Sequence, residues 1–260
     1  MIGFGICVGS AERFERLCLP GILQCGDAGS PVFKRFSQPS IAVAYNSILV
    51  EARQESLDAL VLLHDDVRLS DNLLAETLGR LLRNPTVGVV GAVGASNVSS
   101  LAWWKGKCEG HVQDTFRTNT FSTGDHEVDT VDGLFMALSP WCVQSISFDE
   151  SFPGFHGYDG DYCRQVREHG KTVCVTDVGL FHHTRAAYAS FDASWYRANL
   201  LWQRKWRHPQ MSSLDALAWN IRYWSVRPKA ALARGAGRLR SHLRRTGSQA
   251  IVTRNRESES

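Results

Sequence analysis

Three polar clusters, each closing an apolar run, hold the side chains able to do chemistry. Leu60-Val61-Leu62-Leu63 ends in His64-Asp65-Asp66. The segment FDESFPGFHGYDGDYC, residues 148–163, sets Asp149, Glu150, Asp159 and Asp161 among aromatics. Leu180-Phe181 ends in His182-His183. Adjacent carboxylates repel unless a cation or hydrogen bonds compensate. Alternation along a strand puts His64 and Asp66 on one side and Asp65 on the other, so His64 and Asp66 can share a divalent metal carrying a diphosphate. Oxygen ligands suit Mg2+ or Mn2+, and the imidazole leans toward Mn2+. An aspartate capping the next turn beside a core histidine accounts for the same residues about as well. By the same alternation only one of His182 and His183 reaches a given face.

Asp159 and Asp161 open a helix, where the dipole favours negative charge. Capping is one reading, for Asp161 above all. The other is a carboxylate that takes the proton of an acceptor hydroxyl. Phe155, His156 and Tyr158 between the acids can stack on sugar rings or belong to the core. Phe148 and Phe152 read as core.

Such clusters work only if strands deliver them to one edge of a sheet, and ligands of open α/β sheets bind beyond the carboxyl ends of the strands. Strands are predicted over 2–8, 58–64, 87–94, 130–138 and 172–176, with a short one in 21–31 running into an Asp-Ala-Gly-Ser turn. Helices are predicted over 11–19, 41–56, 71–83 with Ser70 as cap, and 159–169. Residues 95–129 read as a long irregular segment. The alternation predicts a mostly parallel sheet covered by helices on both sides.

At 260 residues, 43% hydrophobic and 21% charged, the chain can build a sizeable core. The net charge of +3 hides an asymmetry: residues 1–196 carry −8 and residues 197–256 carry +13. Over 228–245 a stripe of Leu232, Ala236, Leu239 and Leu243 runs beside crowded Lys and Arg. A helix of that kind lies on an anionic membrane face or stays solvated as part of a tail. No aromatic interleaves the basic residues after Trp224, which argues against single-stranded nucleic acid. Seven scattered cysteines without a CxxC pair read as free thiols of a reducing compartment. The N-terminus lacks a signal-peptide pattern, and no run is long enough to span a bilayer.

In order, HDDV, the VGVVG strand, the Trp103-Trp104 loop, VDG at 131–133, FDESFPGFHGYDGDYC and GL-x-HH resemble the bacterial family-2-type glycosyltransferases of the GT-A fold. The match is to their glycosyltransferase-like branch, in which HDD replaces the Asp-x-Asp motif, and it spans roughly residues 3–205. The resemblance implies a catalytic domain over 1–205; beyond it, the helical pattern and basic composition predict a helical basic extension over 206–246 and a disordered tail over 247–260. The resemblance also implies inverting transfer of a sugar from a nucleotide-sugar donor to a hydroxyl of a glycan, lipid-linked or other acceptor, assisted by Mn2+ or Mg2+. Asp66 and His64 would hold the metal, completed by His182 or His183. Asp159 matches the general base, with Tyr158 standing where the family has a glutamate. Asp27, in GDAGS, matches the aspartate that reads the nucleotide base after the second strand. Asn46, Asp65, Asp132 and Gly133 fall on the donor side, and Trp103, Trp104, His156 and Asp161 on the acceptor side. The setting implied is cytoplasmic or peripheral at the inner membrane face, in polysaccharide biosynthesis.

Two rivals compete. A sugar nucleotidyltransferase wants a glycine-rich, basic phosphate loop, and GICVGSAER offers only Gly9, Ser10 and Arg13. A non-catalytic protein binding membrane or nucleic acid would rest on the basic tail alone.

Overall fold

The computed structural model describes residues 1–184 and 193–206. The first half alternates strands and helices: β1 (Ile2–Val8), α1 (Ala11–Arg13), a π turn, α2 (Leu19–Cys25), β2 (Val32–Phe36), α3 (Ile41–Ala52), β3 (Ala59–His64), β4 (Val67–Leu69), α4 (Leu74–Leu82), β5 (Val87–Gly91) and β6 (Val93–Ser96). Then come β7 (Lys107–Asp114), β8 (Thr118–Thr120), β9 (His126–Val128), β10 (Thr130–Val131), β11 (Phe135–Leu138), α5 (Pro140–Ser145), α6 (Tyr158–Glu168), β12 (Thr172–Val175), β13 (Leu180–His182) and α7 (Ala193–Trp206).

The main sheet has the order β2-β1-β3-β11-β5-β12-β9. β2, β1 and β3 run parallel, as do β5 and β12, while β11 lies antiparallel between β3 and β5 and β9 closes the far edge antiparallel to β12. Five of the seven strands therefore point one way in a mixed sheet, with three of the six pairings antiparallel, and its central strands are apolar along nearly their whole length because both faces are covered. Alternation divides the core. Val61 and Leu63 pack with Ile2, Phe4 and Ile6 against α2 and α4. Leu60 and Leu62 face α3, α5 and α6. Ser40 caps α3 through the Val43 N–H at 3.2 Å, and the predicted face of Ala42, Tyr45, Ile48 and Leu49 is buried. A third cluster joins Trp195, Ala198 and Trp202 of α7 to Leu101, Ala102 and Phe152.

Several expectations shift. Gly21–Cys25 is helical rather than extended, its Ile22 and Cys25 continuing the buried face of Cys18. A short apolar run does not distinguish the two states. α4 starts at Leu74 without Ser70 as its cap, and Asp71 instead accepts the Leu73 N–H at 2.9 Å. The 87–94 run breaks at Ala92: β5 pairs within the main sheet, while β6 pairs with β10 and β7 in a second sheet of order β10-β6-β7-β13-β4. The 130–138 run breaks at Asp132-Gly133 for the same reason. Much of 95–129 is β7, its partner β8, and β9. All seven cysteines are free. Among the described residues no helix is long and apolar enough to cross a membrane. The expected extension beyond α7, its 228–245 stripe and the 247–260 tail lie outside the described residues.

Candidate metal and catalytic site

β3 ends because Asp65-Asp66 turns the chain into β4, and β4 pairs antiparallel with β13, His182 opposite Val67. That turn delivers Asp66 to His182: Oδ1 lies 3.3 Å from Nε2. The His183 N–H donates to the Asp66 carbonyl at 2.8 Å, and the His64 and His182 rings are 6.0 Å apart. One ligand atom each from His64, Asp66 and His182 lies within 4.8 Å of the others, a grouping found nowhere else among the described residues. Two imidazoles and a carboxylate form a donor set that fits a divalent transition metal such as Mn2+. His183 is not in the set. Its ring packs on Phe181 at 4.5 Å.

The charges suit that purpose at His64 and Asp66, while His182 needs the metal to displace its proton. Burial pulls the His64 imidazole down more than nearby Asp66 lifts it, which favours the neutral, ligating form. Burial also lowers His182, but the hydrogen bond and charge of Asp66 outweigh it and the net direction is up. Burial lifts Asp66 less than His182, His64 and Arg13 together hold it down, so it stays a carboxylate.

Gly157 precedes α6 as its N-cap, and its left-handed φ of 80° and lack of a side chain let it pass between Leu101 and Phe152, both within 2.8 Å of where a Cβ would stand. Tyr158 and Asp159 follow in the first turn. The Tyr158 ring packs against Tyr45 and Phe148, and its Oη reaches His64 Nε2 at 2.8 Å. Asp159 Oδ2 accepts the Gly133 N–H at 3.1 Å, and Oδ1 accepts the Gly160 N–H at 2.8 Å. Burial, then the neighbouring Asp132, pushes the Asp159 carboxyl up to about 6 despite those N–H groups. A carboxylate so raised is mostly ionised at neutral pH and a better base than an ordinary one. Asp132 stands at the β10–β11 break, accepts the Leu134 N–H at 3.0 Å, and acts electrostatically on His64, His182 and Asp159 alike. The ligand set and Asp159 therefore share one edge of the sheet, joined through Tyr158 and Gly133. A small cavity of about 20 Å³ flanks Asp159, with Leu101, Trp103, Gly160, Arg164 and Trp202 in its wall.

Asp27, Asp65, Asn46 and Asp161 are engaged in structural contacts. Asp27 does not adjoin the site. Its Oδ2 accepts the Ile2 N–H at 3.1 Å, at the amino end of β1, whereas His64 pairs with Cys7 near the carboxyl end. Five residues of strand separate them by ~17 Å. Asp65, 5% exposed, is consumed by the β1–α1 turn, accepting from Gly9 N–H at 2.8 Å, Ser10 N–H at 3.0 Å and the Arg13 guanidinium at 2.9 Å. Asn46 braces α3 to the loop before α6, donating to the Phe148 carbonyl at 2.9 Å and Glu150 at 2.8 Å and accepting the Phe148 N–H at 2.8 Å. Asp161, 1% exposed, faces α7 rather than an acceptor: it accepts from Lys205 Nζ at 2.8 Å and Trp206 Nε1 at 2.9 Å. Trp103 lines the cavity beside Asp159, half-exposed Trp104 lies 6.0 Å from the Trp195 ring, and His156 is half-buried in the loop before α6. The contact missed from sequence is Tyr158 to His64. Its one signal was a tyrosine directly before Asp159.

A family model described as "Glycosyltransferase like family" matches residues 31–199. The streptomycin biosynthesis protein StrF of Streptomyces griseus is 36% identical over 210 residues, covering 79% of this chain and 74% of that one. Among solved structures, GalNAc-T7 with UDP, GalNAc and Mn2+ superposes with a TM-score of 0.52 at 8% identity, over 86% of this chain and 54% of that one. The mannosyltransferase PcManGT from Pyrobaculum calidifontis, in complex with GDP-Man and Mn2+, gives a TM-score of 0.52 at 14% identity, over 90% and 74%. Both structural likenesses are likenesses of fold.

Proposed function

The chain belongs to the glycosyltransferase-like family and has the GT-A fold, and on that footing we propose that it moves a sugar from a nucleotide-sugar donor to an acceptor hydroxyl with inversion at the sugar carbon. The observation that carries this reading is the ligand set His64, Asp66 and His182 on the same edge as the raised carboxylate of Asp159. His64, Asp66 and His182 would hold the divalent metal. When bound, it supplies positive charge for the departing diphosphate. Asp159 takes the proton of the acceptor hydroxyl as its oxygen attacks the sugar carbon. The bond from that carbon to the diphosphate oxygen breaks on the opposite side, and the nucleoside diphosphate leaves. One attack and one departure from opposite faces invert the centre. Asp132, between the two groups, places negative charge near a carbon that gains oxocarbenium character.

The correction to Asp27 moves the nucleotide-reading position. The second parallel strand ends at Phe36, so Ser37 and Gln38 stand beyond its carboxyl end, where open sheets bind ligands. Phe36 is 47% exposed, and Gln38 Nε2 donates to the Phe36 carbonyl at 3.0 Å. In this reading residues 1–205 are the catalytic body, and the basic stretch over 228–245 of the 206–246 extension holds it at an anionic membrane face. Loss of co-sedimentation with anionic vesicles on deleting 228–260 would support that anchorage, and equal sedimentation would remove it.

The test of activity is a panel of UDP-, GDP- and dTDP-sugars with Mn2+. Release of nucleoside diphosphate from one of them, and a product of opposite anomeric configuration, is the expected result. Release of pyrophosphate instead would move the chain to the nucleotidyltransferases.

A further inference from the structure

Tyr158 stands where the resembled family carries a glutamate, and the proposed reaction has no step for it. Its surroundings show what it does. The phenol is 4% exposed, wedged edge-on against Tyr45 at 5.8 Å and tilted against Phe148 at 6.2 Å, so the ring has one position. Its hydroxyl fits only because residue 133 is glycine: a Cβ there would stand 2.0 Å from Oη. From that notch Oη reaches His64 Nε2 at 2.8 Å.

A neutral imidazole carries one N–H and one lone pair. Were the phenol to donate to Nε2, the proton would sit on Nδ1 and His64 would have no nitrogen left for a metal. With Nε2–H donating to the phenol oxygen, the Nδ1 lone pair is free. Metal-bound histidines commonly donate their other N–H to an oxygen partner that fixes ring and tautomer. Carboxylates, carbonyls and water usually fill that role. The buried phenol is neutral and adds no charge to a site that already holds Asp66 and Asp132 close to His64.

We propose that Tyr158 is a positioning residue for metal binding: its phenol oxygen accepts the Nε2–H of His64, holds the imidazole as the Nδ1 ligand, and depends on Gly133 for its place. This rests on His64, Asp66 and His182 being the metal ligands.

Titration calorimetry with Mn2+ alone tests it, on the wild type, Tyr158→Phe and His182→Ala. Tyr158→Phe keeps the ring and removes only the hydroxyl. It should bind Mn2+ on the order of 10–100-fold more weakly with an unchanged circular dichroism spectrum. Equal or tighter binding by Tyr158→Phe, with the wild type binding normally, would overturn the proposal while leaving the metal site standing. Binding unaffected by His182→Ala, or none by the wild type, would remove the site and the proposal together. A measurement on the metal-free wild type needs no variant: 15N spectra of the ring should show His64 as the Nε2–H tautomer. The Nδ1–H tautomer there would contradict the assignment.

Discussion

The Gly133 N–H donates to Asp159 Oδ2 at 3.1 Å, tying the first turn of α6 to the break between β10 and β11. That bond fixes the carboxylate near Asp132, whose charge also acts on His64 and His182, and a backbone donor cannot be lost by a side-chain rotation. It also favours the ionised form that a base requires, against the burial that lifts the group.

Asp159→Asn should therefore lower kcat on the order of 10²–10⁴-fold, the range for removing a positioned base. Wild-type activity should rise with pH through a midpoint near 6 as Asp159 ionises. Stability moves the other way. The folded value, about 6, lies above the ordinary 3.8, so the folded chain holds the extra proton between them. The stability this gives is fully present below the ordinary value and is lost as pH rises through about 6. Thermal melts at pH 5 and 7.5 check the sign: the difference between variant and wild type should shift in favour of Asp159→Asn at the higher pH.

His182 and His183 should part company. His182→Ala removes a ligand and should weaken Mn2+ binding by more than the ~10–100-fold typical of a supporting partner. His183→Ala removes a ring packed on Phe181 and keeps the backbone N–H on Asp66, so metal affinity should stay near wild type. Calorimetry on both variants decides between them.

Asp27→Ala should leave the KM for the donor unchanged and cost about 1 kcal/mol of stability through the lost Ile2 N–H bond. Gln38→Ala should raise that KM. Steady-state kinetics with the donor found by the panel would reverse the assignment if the two results exchanged places.

Lys205 joins Asp149 and Asp161 at 2.7 and 2.8 Å and fastens the end of α7 to the helix that carries Asp159. Those two carboxylates outweigh the burial that would lower the lysine, so it stays charged. Lys205→Met leaves Asp161 buried without a cation and should cost on the order of 3–5 kcal/mol. Hydrogen exchange over residues 193–206 should accelerate first. A Lys205→Met/Asp161→Leu double variant should recover part of the loss.

How far the sequence reveals this molecule depends on the range of the forces at each residue. Runs such as Leu60–Leu63 announce buried strands because both faces of a parallel sheet are apolar. The His64-Asp66 spacing and the His182-His183 pair point to the cluster of His64, Asp66 and His182, but strand alternation alone does not choose between the two histidines. Val32–Phe36 carries Lys34 and Arg35 on an outer strand and gives no such sign, while the apolar Gly21–Cys25 helix passes for a strand. One misplacement leads to the other: with the second strand set too early, Asp27 takes the nucleotide-reading place that the proposed function gives to 36–38. Asn46 and Asp161 look like functional polar residues because their partners are distant in sequence: Phe148 and Glu150 for one, Lys205 and Trp206 for the other.

The most direct test of the account is binding of the donor's nucleoside diphosphate, titrated with Mn2+ and again with EDTA, to the wild type and to Asp66→Asn. The account predicts tight binding only for the wild type with Mn2+, and little binding in the other three experiments. Equal binding with EDTA, or full metal-dependent binding by Asp66→Asn, would contradict a metal held by His64, Asp66 and His182.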